Sequence, residues 1–235
     1  IHTTSVFRCG RELAYKFSEF PRLPSHRYSV NGWGGHDALE KLVVDDVTPD
    51  VSSHSILKSD MGERFSIDKR IADALSEELT PMIKNFLDWR EQTKIDLSSE
   101  NILGKEMHLE RRITPHVIHI STPDFILRDW IIDLKMGKKT YKMEYYAQLG
   151  SYERAARVNN LGLPQKNLMD LFLGGDKAEE VKPKRKSVQS ALMKWDGALL
   201  TTLHNYELLA KGELPPCARG FGCNLCAFRH LCRGV

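Results

Sequence analysis

The apolar and polar positions of this chain sort into a mostly helical front, a mixed strand and helix middle, and an amphipathic helical end. The run Trp130-Ile131-Ile132-Asp133-Leu134-Lys135 is apolar and β-branched, as a partly buried strand is. Val117 to Leu127 reads as a second strand before it, and the polar Arg128-Asp129 between the two runs suits a turn. Gly104-Lys105-Glu106-Met107-His108-Leu109-Glu110 alternates, which would put Glu106, His108 and Glu110 on one strand face. Lys142 to Val158 reads as a helix, and Leu168 to Leu173 as the strand that closes the core over residues 100–175. Upstream, residues 33–92 are mostly helical in pattern. Gly62 to Leu79 and Pro81 to Gln92 form two helices there, separated by a proline that suits a helix start. Ser187 to Lys211 is a long amphipathic helix that delivers the chain to its last segment, so residues 187–235 form a terminal unit. Residues 1–30 look irregular, and neither an internal repeat nor a coiled-coil heptad pattern is present.

Composition narrows the class. With 235 residues and an apolar fraction of 41%, the chain can bury one substantial core, and residues 1–235 read as a single domain. It has no cleavable hydrophobic leader and no apolar run long enough to span a bilayer, so it reads as a cytoplasmic protein whose cysteines are free or metal-bound. The net charge of +3 permits a polyanionic partner without demanding one, so local clusters carry more information. Lys182-Pro183-Lys184-Arg185-Lys186 is the densest basic run. A second set, Arg219, Phe221, Phe228, Arg229, His230 and Arg233, mixes cations with aromatic rings in a way that suits a single strand held by charge and stacking.

Candidate chemistry centres on the strand at Asp133. Asp133 and Lys135 share one face of it while Leu134 takes the other, and folding the hairpin at Arg128-Asp129 can bring Asp124 beside Asp133. Two carboxylates held together in an apolar setting repel unless a cation lies between them, and a hard divalent ion such as Mg²⁺ or Mn²⁺ is the natural occupant. Such an ion acidifies water and polarises a phosphate, with Lys135 placed to orient that water or neutralise developing charge; the chemistry implied is phosphodiester hydrolysis. His36, in Gly32-Trp33-Gly34-Gly35-His36, could add a nitrogen ligand at a helix start, and Glu106 or Glu110 could reach the site from the alternating strand. Gln148 and Tyr152, at i and i+4 of one helix, share a face and could line a groove.

In this order, Gly32 to His36, Glu106, Pro123-Asp124, Asp133-Leu134-Lys135 and Gln148-Leu149-Gly150-Ser151-Tyr152, the chain resembles the RecB-like branch of the PD-(D/E)XK nuclease superfamily. Its nearest look is to the iron-sulfur exonucleases of that branch, among them CRISPR-associated RecB-like nucleases, the AddB nuclease domain and phage exonucleases. The resemblance spans about Cys9 to Cys232; where that family has Gly-x-Ile-Asp, this chain has Thr122-Pro123-Asp124-Phe125. It implies an α/β restriction-endonuclease-like core, an N-terminal helical insertion and a cysteine-clamped C-terminus. It further implies that His36, Asp124, Asp133 and the Leu134 carbonyl ligate the metal, that Glu106 supports it, and that Lys135 is the catalytic lysine.

Cys223, Cys226 and Cys232 crowd three thiols into one short segment, and Cys9 offers a distant fourth. The resemblance implies a [4Fe-4S] cluster on these four, which leaves Cys217 spare. A zinc site on Cys217, Cys223, Cys226 and either Cys232 or His230 is the alternative. The expectation from sequence is a Mg²⁺- or Mn²⁺-dependent DNA exonuclease acting at ends or on single strands in recombination, repair or spacer processing, with protein partners in such a complex and no membrane association. The rival expectations are a structure-selective endonuclease using the same site and a weakly catalytic subunit that binds DNA ends.

Overall fold

The computed structural model describes residues 35, 36, 39, 50–59, 67–162 and 165–216. In chain order its elements are α1 (Ser53–Lys58), α2 (Lys69–Gln92), β1 (Ile102–Lys105), β2 (Leu109–Thr114), β3 (Val117–Ser121), β4 (Phe125–Leu127) and β5 (Trp130–Lys135). There follow α3 (Met143–Val158), β6 (Asn167–Phe172), β7 (Glu179–Val181) and α4 (Arg185–Ala210). Gly35, His36 and Leu39 are helical as well.

β5 and β6 are parallel neighbours joined through α3, because a parallel pair needs a crossover long enough to return the chain to the starting edge. They sit at the middle of a five-stranded sheet in the order β1-β4-β5-β6-β7, with every other pairing antiparallel. Strands covered on both faces read as nearly unbroken apolar runs, and these two do. Ile132, Leu134, Met169 and Leu171 meet Ile83, Phe86 and Trp89 of α2 on one face. Ile131, Ile126 and Leu168 meet Leu149, Tyr152 and Ala155 of α3 and Val188 and Leu192 of α4 on the other. The result is three layers with α2 outside one face and α3 with α4 outside the other.

The α3–α4 contact is close because α3 turns small residues outward. Gly150 has no room for a methyl group: a Cβ there would lie 2.7 Å from Val188 Cγ1 and 2.8 Å from Leu192 Cδ1. Arg154 of α3 and Asp196 of α4 add a two-pronged ion pair at 2.7 and 3.2 Å.

Four expectations are corrected. The single strand over Val117 to Leu127 is two strands in different sheets: β3 pairs with β2 in a separate hairpin, and β4 pairs with β1 and β5. The break falls at Thr122-Pro123-Asp124, where a proline supplies no N–H to a ladder and confines the residue before it. The two helices separated at Pro81 are one helix, α2, capped by the Asp68 carboxylate on the Ile71 N–H and running through Pro81. An interior proline costs a helix about 3 kcal/mol. Leu75, Leu79, Ile83 and Phe86 are buried on either side of it, and each such side chain is worth roughly 1.5–3 kcal/mol, so packing wins. The alternating strand over 104–110 ends at Lys105, since Glu106 takes a left-handed backbone (φ 39°) and β2 starts only at Leu109. Finally, β6 does not close the sheet, because β7 pairs along its outer edge. The helices at Lys142 to Val158 and Ser187 to Lys211 fall within a residue or two of α3 and α4.

Among the described residues no helix is long and apolar enough to cross a membrane.

Candidate active site

The turn at Arg128-Asp129 sets the site. β4 folds back on β5 with Phe125 opposite Ile132 and Ile126 opposite Ile131, so Asp124 arrives beside Asp133. A buried lysine pins the turn: Lys166 Nζ donates to the carbonyls of Leu127 and Arg128, both at 2.7 Å. Alternation along β5 and β6 then sends Asp133, Lys135 and Asp170 to the face under α3, while Leu134 and Leu171 pack toward α2.

Two groups of side chains face each other there. In the first, the Asp124 carboxylate accepts from the Leu134 N–H at 2.5 Å and lies 3.0 Å from His36 Nδ1. Glu106 Oε1 is 3.8 Å from the same imidazole nitrogen. The left-handed turn at Glu106, which a non-glycine residue adopts at some cost, swings its carboxylate to this place, and its own N–H donates to the Asp124 carbonyl at 3.1 Å. Burial opposes a charge on His36, but Asp124, then Asp133 and Glu106, outweigh it and push its pKa up to about 9.

In the second group, Lys135 and Asp133 form a close ion pair. Gln148 of α3 bridges it, accepting from Lys135 Nζ at 2.8 Å and donating to Asp133 Oδ1 at 3.3 Å and to the Tyr152 hydroxyl at 2.5 Å. The Lys135 ammonium also lies 4.3 Å from the centre of the Tyr145 ring. Burial works against a cation at Lys135, yet Asp133 and then Asp170 more than offset it and hold its pKa above the ordinary lysine value. Burial raises the Asp133 pKa against the pull of Lys135, and burial together with Asp133 and Asp124 keeps the Tyr152 phenol protonated far above the usual range.

The donors fit a divalent cation. One nitrogen and two carboxylate oxygens from His36, Glu106 and Asp124 all lie within 4.8 Å of one another, the mixed oxygen and imidazole set that suits Mn²⁺ and, with water completing the shell, Mg²⁺. Asp133 stands at the edge of this group, turned to Lys135. Beside them opens a cleft of about 940 Å³ lined by His36, Lys135, Tyr145, Gln148 and Phe172. Its far wall is a tight bend. Asn85 of α2 donates to the carbonyls of Leu173 and Gly175 at 2.9 Å, and a Cβ at Gly174 would lie 2.6 Å from the Met136 carbonyl oxygen.

His36, Glu106, Asp124, Asp133, Lys135, Gln148 and Tyr152 thus meet in one place. Glu110 does not join them: it is exposed on β2, and its carbonyl accepts from Asn159. The basic run at 182–186 is partly consumed within the fold. Lys182 pairs with Glu180 and lies over Trp130, and Arg185 binds Glu153 at 2.7 Å. All five cysteines, with the aromatic and basic residues around the last three, lie outside the described residues.

The sequence reading missed Asp170, and its signal was present: a carboxylate in the middle of Leu168-Met169-Asp170-Leu171-Phe172, a run otherwise apolar. Asp170 is 1% exposed, and neither of its carboxyl oxygens has a hydrogen-bond partner among the described residues. Burial, then the neighbouring Asp133, pushes its pKa up to about 8 despite Lys135.

No family model matches the sequence, and no curated protein does. Among solved structures, a protein from Eubacterium rectale that carries the provisional description of an exonuclease superposes with a TM-score of 0.58 at 11% identity. That alignment covers 100% of this chain and 88% of the other, so the two share a fold. A second structure, SSO0001, aligns over 100% of this chain and 85% of its own at 12% identity, with a TM-score of 0.45.

Proposed function

We propose that the chain is a metal-dependent deoxyribonuclease that hydrolyses phosphodiester bonds at DNA ends or on single strands. The observation that carries this is the buried Asp133–Lys135 pair, bridged by Gln148 and set at the wall of the cleft next to the His36, Glu106 and Asp124 donors. The fold held in common with a protein provisionally described as an exonuclease lends support.

His36, Glu106, Asp124 and Asp133, with the Leu134 carbonyl, would hold Mg²⁺ or Mn²⁺. When bound, the ion supplies an acidified water and a Lewis acid for a phosphate oxygen. The rest of the work belongs to the chain. The Leu134 N–H fixes the Asp124 carboxylate in one orientation, so no reorganisation is needed at the moment of reaction. Lys135 presents an ammonium to the cleft, where it orients water or offsets the negative charge that builds on the phosphate. Gln148 restrains that ammonium from one side, and Tyr152 restrains Gln148 in turn. The cleft's Tyr145 and Phe172, with ring centres 6.0 Å apart, offer a surface on which an exposed base can stack.

On the resemblance to the iron-sulfur nucleases, Cys9, Cys223, Cys226 and Cys232 are proposed to carry a [4Fe-4S] cluster, with zinc as the alternative that the cysteine spacing equally allows. Partner proteins of a recombination, repair or spacer-processing complex, and an intracellular setting, belong to the same proposal.

The test is digestion of end-labelled single strands, blunt duplex and closed circles with Mn²⁺ and with chelator. Metal-dependent shortening of labelled ends is expected, with turnover lower by orders of magnitude in Asp133→Ala and Lys135→Ala. Near-wild-type cleavage by purified Lys135→Ala would sink the assignment, and rapid cutting of closed circles at a defined sequence would replace the exonuclease with an endonuclease.

A further inference from the structure

Lys135 is held from three sides, and among the described residues two of its three donors have a partner in direct contact. Asp133 takes one, Gln148 Oε1 another at 2.8 Å, and the third direction holds the Tyr145 ring and Asp170, whose Oδ1 is 4.0 Å from Nζ. Asp170 stands directly across from Asp133 on the parallel neighbour strand and faces the same layer. Both of its oxygens lack a hydrogen bond among the described residues, although the side chain is 1% exposed. Protein interiors seldom leave a buried carboxyl unsatisfied, because a polar atom taken out of water without a new hydrogen bond destabilises the fold. An orphaned acceptor pair one short swing from a flexible ammonium marks a second resting place for that ammonium.

We propose that Asp170 is a positioning residue for Lys135: when Asp133 turns to the His36, Glu106 and Asp124 group, the Lys135 Nζ is retained over the cleft by Asp170 and Gln148. The proposal rests on the nuclease reading for the role of Lys135, but the hold on Lys135 can be observed without catalysis. Asp133 stands at the edge of the cation group but is turned to Lys135, so turning to the one loosens its hold on the other. Gln148 alone offers the ammonium a single acceptor oxygen. With Asp170 present the ammonium keeps a carboxyl oxygen to donate to in either arrangement.

The experiment compares wild type, Asp170→Asn and Asp170→Leu as full-length protein in three measurements. These are kcat and KM on end-labelled single strands with Mn²⁺, thermal melting, and acylation of Lys135 by an amine reagent, read by peptide mass spectrometry with Mn²⁺ and with chelator. Asp170→Leu is expected to lower kcat at least tenfold with KM within about twofold, the split that marks a loss made in the transition state. Melting is expected to stay level or rise, since an unsatisfied buried carboxyl is removed. Lys135 acylation is expected to be several-fold faster than wild type with Mn²⁺ and unchanged with chelator, where Asp133 still holds the ammonium. Asp170→Asn, which keeps the size and one acceptor, should fall between, and it carries the comparison if Asp170→Leu does not fold. A folded variant with wild-type kcat, or one whose acylation rate with Mn²⁺ matches wild type, would overturn the proposal. If wild-type protein cleaves nothing, the nuclease reading fails, and the acylation rates still decide for or against Asp170.

Discussion

Raising the pH should loosen this fold through His36. The imidazole Nδ1 is 3.0 Å from Asp124 and 3.8 Å from Glu106, and its pKa is lifted from 6.5 to about 9. A group whose pKa is higher folded than unfolded adds stability that is complete below the unfolded value and disappears as pH climbs through the folded one. Here the window runs from about pH 6.5 to about pH 9 in metal-free protein. At about 1.4 kcal/mol per pH unit the ceiling is roughly 3.5 kcal/mol. The His36 side chain is 29% exposed, and solvent screening brings the expected loss to about 1.5 kcal/mol. Asp170 pushes the same way: a carboxyl lifted to about 8 loses its favourable neutral form as pH rises, so stability falls between about pH 4 and pH 8. That second slope is common to wild type and His36→Gln, and it cancels in their difference. Urea unfolding followed by tryptophan fluorescence with chelator, at about pH 6 and about pH 9.5, isolates the His36 part. Wild type should exceed His36→Gln by about 1.5 kcal/mol at the lower pH and by almost nothing at the higher. Added Mn²⁺ should stabilise wild type more at the higher pH, where it has no proton to displace from the imidazole. A wild-type advantage that is the same at both pH values would refute the account of this ion pair.

Gly150→Ala sets a helix-propensity gain of about 1 kcal/mol against forced overlap with Val188 and Leu192 that costs about 1–3 kcal/mol; net destabilisation of about 1 kcal/mol is expected in thermal melts. Pro81→Ala restores a donor to the interior of α2 and should stabilise the protein by about 1 kcal/mol in urea, less than the full helix penalty because proline also restricts the unfolded chain. Anaerobically purified protein should be brown, with absorption near ~400 nm and roughly four irons per chain, if the cysteines carry a cubane cluster. Cys9→Ser, Cys223→Ser, Cys226→Ser and Cys232→Ser should each bleach it and Cys217→Ser should not, whereas stoichiometric zinc without iron would assign the site to zinc.

Periodicity alone was enough for β5, α3 and α4, because each has a continuous pattern that matches one geometry and no competing signal inside it. It also placed Asp133 with Lys135 on one face and Gln148 with Tyr152 on another, since those spacings follow from the strand and helix repeats themselves. Proline was the point of failure in both directions. At Pro81 a local breaker lost to the buried side chains on either side of it, and at Pro123 an apolar run that looked continuous was divided between two sheets. Neither outcome is written locally, because each depends on how much area the flanking residues bury against elements far along the chain. The same holds for the site. Sequence order offered His36, Glu106, Asp124 and Asp133 as candidates, and the turn at Arg128-Asp129 already pointed Asp124 to Asp133, but only the left-handed turn at Glu106 brought its carboxylate to His36. Asp170 became a neighbour of Lys135 only when α3 carried the chain back to lay β6 parallel to β5. Repeats of two and 3.6 residues fix which side chains share a face within an element; which faces meet is decided by the packing of elements that the sequence keeps far apart.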